Sequence, residues 1–377
     1  MSKYNVMDLF SGVGGLSYGF SKIPDFNILA ANEIEKDISI AYSLNHPNVA
    51  MLNCDINQLT EEKLKEVLKD NRIDLIVGGP PCQSYSTLGK RKMDDRANLF
   101  MQYKRVLSIL QPKAFVFENV PGLLTACPGD IPVRIRIFDA FKAIGYEIRT
   151  PENLKNSVYC AEDYGVPQKR NRIIIFGTKK DSNFSPEDFY SCLTKNKTTS
   201  PHKTVRDAIG NLPALIPSRE ITKVGNAHIS HHQVSGEKVN LHIPRYHGER
   251  DQRLFKEWLS NNMNAFSQEE KKAFYTKITG HTSNHIKYRN LEWDKPSPTI
   301  VAHLYKDGYM FIHPDIKQLR TITVREAALL QSFPLDYSFP SSNSYNYKMI
   351  GNAVPVLFAK AIAETVYEVI SNKEVEK

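Results

Sequence analysis

"DLFSGVGGLSYGF", residues 8–20, is the stretch whose reading decides the fold. The apolar run Tyr4–Leu9 reads as a strand. It breaks into the glycine-rich turn Ser11–Gly15 and resumes as a helix to about Ser21. A strand that runs through glycines into a helix opens a βαβ unit, and the glycines let backbone approach a ligand at the helix start. A dinucleotide fingerprint asks for G-x-G-x-x-G. Gly12 and Gly14 fit it, but position 17 is serine. The turn is therefore of nucleotide type without matching a nicotinamide site, and in isolation it serves equally well as plain turn geometry.

Working outward, strand and helix patterns alternate. Asn27–Ala31 reads as a strand, Asp37–Leu44 as a helix, Val49–Leu52 as a strand and Glu61–Lys69 as a charged amphipathic helix. Ile73–Val77, Ala114–Glu118 and Arg172–Gly177 read as buried strands, with helices over Asn98–Leu110 and Val133–Ile144. This alternation predicts an α/β fold with a mostly parallel sheet covered on both faces. Beyond about Lys180 the pattern fades into a polar, irregular region, 181–346, that holds 10 of the 11 histidines. A helical period returns over Val354–Ile370. Two domains are expected: 1–180 with 347–377, and 181–346.

Composition bounds the function. No apolar run approaches the roughly 20 residues that span a bilayer, and the first residues lack a signal-peptide pattern. The 5 cysteines show no CxxC spacing, which suits reduced thiols in a cytoplasm. A formal net charge of +8 favours a polyanion partner without proving one. His228, His231 and His232 lie close together, but no cysteine accompanies them and no ligand spacing is convincing, so no metal site is expected.

Several stretches carry chemistry. Glu33 and Asp55 follow the second and third strands, where carboxylates either accept from ribose hydroxyls and an adenine amino group or cap helices. "DLIVGGPPCQSYS", residues 74–86, sets Cys82 after a buried strand and two prolines, as a nucleophile or as packing. Glu118 ends the apolar strand of "FVFENVPGLL", where burial would raise its pKa, or where it caps a helix. Arg170 and Arg172 precede a strand on one face, suited to a phosphate or carboxylate or to a solvated edge.

The order of these stretches, namely the glycine turn, two acids, PPCQ, ENV, QKRNR and finally GNAVP at 351–355, resembles the DNA cytosine-5 methyltransferases of bacterial restriction–modification systems. The resemblance covers almost all of the first 177 residues and about 320–370, and is weaker between 181 and 300. It implies a Rossmann-like S-adenosylmethionine-dependent methyltransferase domain with a smaller, irregular target-recognition domain. Phe10, Ser11, Gly12, Gly14, Gly15, Glu33, Ile34, Asp55, Ile56, Pro80, Leu99 and Asn352 would surround the methyl donor. Cys82 would be the catalytic thiol, Glu118 the acid on the base, and Arg170 with Arg172 the cations beside it. The chain would methylate a cytosine flipped out of duplex DNA.

Ser84, Ser86, Arg91, Arg245, Arg250, Lys287 and Arg289 are expected to contact DNA. The resemblance also implies a monomer with a cognate restriction endonuclease acting separately and no membrane partner. Rivals are a tRNA cytosine-5 methyltransferase of the same fold and a catalytically inert DNA-binding relative. The second would be expected to lack the thiol or the acid, and both are present. The first has less use for the long region 181–346.

Overall fold

The computed structural model describes residues 4–69, 71–81, 99–127, 130–224 and 227–375. Two compact units emerge. One comprises residues 1–166, 170–201 and 353–377, the other residues 167–169 and 202–352.

The first unit is built on an eight-stranded sheet. Its strands are β1 (Tyr4–Leu9), β2 (Phe26–Asn32), β3 (Ala50–Leu52), β4 (Leu75–Gly78), β5 (Ala114–Asn119), β6 (Tyr146–Glu147), β7 (Val158–Cys160) and β8 (Asn171–Lys179). Its helices are α1 (Gly15–Phe20), α2 (Lys36–Asn45), α3 (Glu61–Leu68), α4 (Leu99–Leu110), α5 (Val133–Lys142) and α6 (Pro186–Lys195), with a long closing helix, Val356–Val375. The order is β3-β2-β1-β4-β5-β8-β6, with β7 also on β8. The mixed α/β architecture with a mostly parallel sheet is thus as expected.

The sheet is antiparallel at one side. β8 runs antiparallel to β5, as do β6 and β7 to β8. Direction is set by the partner a strand finds, and nothing local in Asn171–Lys179 encodes it.

Strand side chains alternate between two cores, as the two-residue period requires. Val6, Leu75, Val77, Val116, Ile174 and Phe176 face α1, α6 and the closing helix. Met7, Ile76, Phe115, Phe117, Ile173 and Ile175 face α3, α4 and α5. Every one of these twelve is at most 1% exposed, so each contributes roughly 1.5–3 kcal/mol of burial. α1 and the closing helix approach closely. A Cβ on Gly19 would lie 2.4 Å from that of Ala359, and one on Gly15 would lie 2.2 Å from the Val354 carbonyl oxygen.

The second unit contains α7 (Val205–Ile209), a two-stranded antiparallel ribbon of β9 (Leu215–Val224) and β10 (Ala227–Gln233), α8 (Glu249–Ser260), α9 (Gln268–Thr279), α10 (Val324–Leu330) and α11 (Asn343–Asn352). The helix Val356–Val375 is α12 in chain order. Helices α8 and α9 fall where the sequence shows no clear period. The Phe255, Trp258, Met263, Ile286 and Ile312 side chains form an apolar cluster. Beside it lies a polar interior. Arg320 grips Glu326 through two 2.7 Å hydrogen bonds with both side chains 1% exposed, and Glu326 accepts from the Thr323 amide at 2.7 Å. Gln168 belongs to this unit. Its side chain donates to the Leu330 carbonyl and accepts from the Ile300 amide.

No helix among the described residues is long and apolar enough to cross a membrane.

Candidate active site

The carboxyl edge of the parallel strands carries several of the residues singled out in the sequence. Leu9 stands opposite Asn32 of β2 and Gly78 of β4, and Gly78 stands opposite Phe117 of β5. The residues one step further on, Phe10, Glu33, Gly79 and Glu118, therefore leave the sheet along one line. The chain reverses its direction of winding between β1 and β4, and ligands of open α/β sheets bind at such a switch point.

At the first strand, Phe10 is left-handed at φ 55° and Gly14 sits at φ 90°. Glycine is required at the second position, since a Cβ there would lie 2.4 Å from His46 Nε2. Glu33 ties the turn to β2: its carboxylate accepts from the Gly12 amide at 3.1 Å and the Glu35 amide at 2.8 Å. Burial raises its pKa, and those amides pull it back. A carboxylate has about four lone-pair sites, so two amides leave room for ligand hydroxyls. Ser11 Oγ is buried without a hydrogen-bond partner among the described residues. Ile34 is 60% exposed beside Glu33. Asn53 fixes this corner by donating to the Glu33 and Ile34 carbonyls. Asp55 accepts from the Asn57 amide at 2.8 Å and starts a short turn that buries Ile56. An acid, an orphaned hydroxyl, an exposed aliphatic and a glycine cradle together suit a polar ligand with a flat apolar part. Leu99 begins α4 and packs half-buried on the core. Asn352 ends α11, exposed, in the second unit.

Beneath the turn lies a network that sequence reasoning missed. Ser17 Oγ donates to Asp8 Oδ2 at 2.6 Å and lies 2.7 Å from the Tyr42 hydroxyl, all three residues fully buried. Burial pushes the Asp8 carboxyl up to about 7. Serine at position 17, the departure from the glycine fingerprint, is the only local sign of this contact.

At β4, Gly79, buried Pro80 and exposed Pro81 leave the sheet toward Cys82. Cys82, Ser84, Ser86 and Arg91 lie outside the described residues. The Pro80 carbonyl accepts from Asn119 Nδ2 at 3.1 Å, and a Cβ on Gly79 would lie 2.7 Å from Glu118 Oε2. Glu118 thus sits directly beside the segment that leads to the thiol.

The antiparallel run of β8 brings its start, not its end, to this edge. Arg172 Nε lies 2.8 Å from Glu118 Oε1. This is a charge pair, since that oxygen has no well-directed hydrogen bond among the described residues. Burial raises the Glu118 pKa, and Arg172 and then Arg170 draw it back down. Arg170 is 1% exposed and donates to the Ala353 carbonyl at 2.9 Å, pinning the start of α12.

In the second unit, Lys287 and Arg289 are exposed, and Arg250 is exposed but paired with Asp251 at 3.1 Å. Arg245 is engaged internally. It donates to the Leu304 and Tyr305 carbonyls and stacks 4.2 Å over the Tyr347 ring. His231 is likewise engaged, with Nε2 2.7 Å from the Gln318 carbonyl oxygen and Nδ1 2.9 Å from Ser230 Oγ.

The family model of the C-5 cytosine-specific DNA methylases matches residues 4–368. A type II methyltransferase of Bacillus paralicheniformis, M.Bpa9945I, is 32% identical over 97% of this chain and 99% of that protein. Among solved structures, a chain described as a DNA modification methyltransferase encoded within an E. coli prophage superposes with a TM-score of 0.68 at 27% identity, covering 98% of this chain and 99% of that one. S. pombe Dnmt2 methyltransferase shares the fold at a TM-score of 0.59 and 18% identity, over 98% and 99% of the two chains.

Proposed function

Because the chain belongs to the C-5 cytosine-specific DNA methylase family and is a DNA cytosine-5 methyltransferase, we propose that Cys82, Glu118 and Arg172 carry its chemistry on a cytosine flipped out of the duplex. The Cys82 thiolate adds to carbon 6 of the base, forming an S–C bond and moving electron density onto carbon 5. Glu118 holds and protonates ring nitrogen 3, which makes that addition easier. Arg172, with Arg170 behind it, orients the Glu118 carboxyl and offsets its charge. Carbon 5 then becomes the nucleophile that takes the methyl group. Transfer of the carbon 5 proton to a water base, return of the nitrogen 3 proton to Glu118 and departure of the Cys82 thiolate then restore the ring. Each reacting pair must converge to about 3–3.5 Å, which a stacked base cannot allow.

S-adenosylmethionine fits the residues of the glycine turn and supplies, when bound, an electrophilic methyl group. Glu33 would accept from its ribose hydroxyls, Asp55 from its adenine amino group, and Ile34 would cover the adenine face. The orphaned Ser11 hydroxyl and the turn Gly12–Gly15 would meet its polar end. The second unit would read the target sequence. We read the cellular role as protection of host DNA alongside a separate restriction endonuclease, by a cytoplasmic monomer.

The observation that carries this reading is the buried carboxyl of Glu118, favoured toward its protonated form and set against the Gly79–Pro80 segment that leads into Cys82. Labelled methyl donor with duplex DNA or with tRNA, using wild type and Cys82→Ser, tests it. Transfer to the duplex alone, abolished in the variant while DNA binding persists, is expected. Turnover retained by the variant, or transfer to tRNA only, would overturn it.

A further inference from the structure

The β9–β10 ribbon has two halves of different character. Its stem is held. Leu215 is 3% exposed and its amide donates to Gln318 Oε1 at 3.0 Å, while His231 is 1% exposed and bound to the Gln318 carbonyl. The register then breaks. His231 pairs with Pro217 and Ile229 with Thr222, so the four residues 218–221 stand where β10 has Ser230 alone. Ser218 Oγ accepts from the Glu220 amide at 3.2 Å and folds this bulge. Bulges bend a ribbon and re-aim its far end.

A strand with one packed face buries every second residue, yet Thr222 and Lys223, consecutive and paired across the ribbon, are both exposed, as are His228 and the bulge residues Glu220 and Ile221. Ile221 is 60% exposed, an apolar side chain with no core to fill. Lys223 lies directly opposite His228, so two donor-bearing side chains share one face. The stretch "REITKVGNAHI", residues 219–229, carries two cations and a histidine against one acid. A free two-stranded ribbon is marginal in water, so an uncovered one asks for a partner.

We propose that Ile221, Thr222, Lys223 and His228 enter the major groove of the substrate duplex and read bases there. Strands about 4.8 Å apart fit a groove about 12 Å wide and 8.5 Å deep. Lys223 and His228 present donors to guanine acceptors, and Ile221 presents methyl groups to a thymine methyl. The proposal rests on the DNA-methylating reading above, and its test is separable from it.

Selection of bound duplexes from a randomised pool, by wild type and by Lys223→Ala, His228→Ala and Ile221→Ala, reads recognition without any methyl transfer. Discrimination at one or more defined positions should fall by about tenfold, the scale of one good base contact, with unchanged melting temperature. Uniform weakening at an unchanged site with a shallower salt slope would make the ribbon a phosphate clamp and overturn the proposal. So would unchanged selection, failure of the wild type to select any sequence, or a loss of self-association in sedimentation that reveals an interface between copies. A wild type that selects a site but transfers no methyl group would sink the catalytic reading and leave this one standing.

Discussion

Replacing Asp8 by asparagine should flatten the pH dependence of stability. The Asp8 carboxyl is fully buried beneath the glycine turn, and its pKa is raised from 3.8 to about 7. The sign depends on which state holds the proton. Below pH 3.8 the group is protonated folded or unfolded and contributes full stability. Between 3.8 and about 7 the unfolded chain releases a proton that the folded chain keeps, so stability falls as pH rises. Above about 7 the folded chain carries a buried charge. A shift from 3.8 to about 7, at about 1.36 kcal/mol per unit, corresponds to about 4 kcal/mol in all. Of this, about 3 kcal/mol is lost between pH 5 and pH 8. Asparagine is neutral throughout and keeps an oxygen to accept from Ser17. Urea denaturation at pH 5 and pH 8 should therefore show the variant's stability advantage grow by about 3 kcal/mol between the two, other groups cancelling in the comparison. Parallel profiles for the two proteins would refute the reasoning and mean that Asp8 is ionised in the folded chain.

Glu118→Gln should lower kcat by about a hundredfold or more with the Michaelis constant for the methyl donor little changed, measured in steady-state transfer to duplex DNA. Arg172→Met removes the nearest cation from Glu118, so any limb of the rate profile governed by that acid should move to higher pH. Glu326→Ala leaves Arg320 buried without its partner and should cost about 3–5 kcal/mol in chemical denaturation. His231 is held down to about 4 by burial. The unfolded chain takes up that proton first as pH falls through about 6.5, so the group's contribution is intact above that and lost toward pH 4. Tryptophan fluorescence, reporting Trp258 and Trp293, should show acid unfolding that begins in this window.

The features legible in the sequence were local or tied to strand ends. Tyr4–Leu9 reads as its own strand because apolar side chains on both faces meet a glycine turn. Phe10, Glu33 and Glu118 were found together because parallel strands deliver their next residues to one edge. The direction of β8 was not legible, since its pattern reads the same either way, yet that direction carries Arg172 to Glu118. The Asp8–Ser17–Tyr42 contact joins residues too far apart for any periodicity to show. Helix α9 did leave a mark, the capping box of Ser267 and Glu270, but none of its side chains is fully buried and only Phe274 and Tyr275 pack on the apolar cluster, too few for an apolar stripe. Arg245 looks in the sequence like any surface cation. Only the fold reveals that its guanidinium is spent on two carbonyls and a tyrosine ring.

The position of α12 in the chain bears on how the protein is made. A nascent polypeptide that has emerged as far as Asn352 already holds all eight described strands of the large sheet. It still lacks the helix that packs against Leu16, Phe20 and Phe189. At about 5–20 residues per second, residues 202–352 take the ribosome roughly 8–30 s. Throughout that interval one side of the sheet, covered by α1 and α6 alone, lacks its largest helix and is a natural client for a holdase, and premature termination anywhere in the second unit would release a sticky fragment in place of a half-functional enzyme.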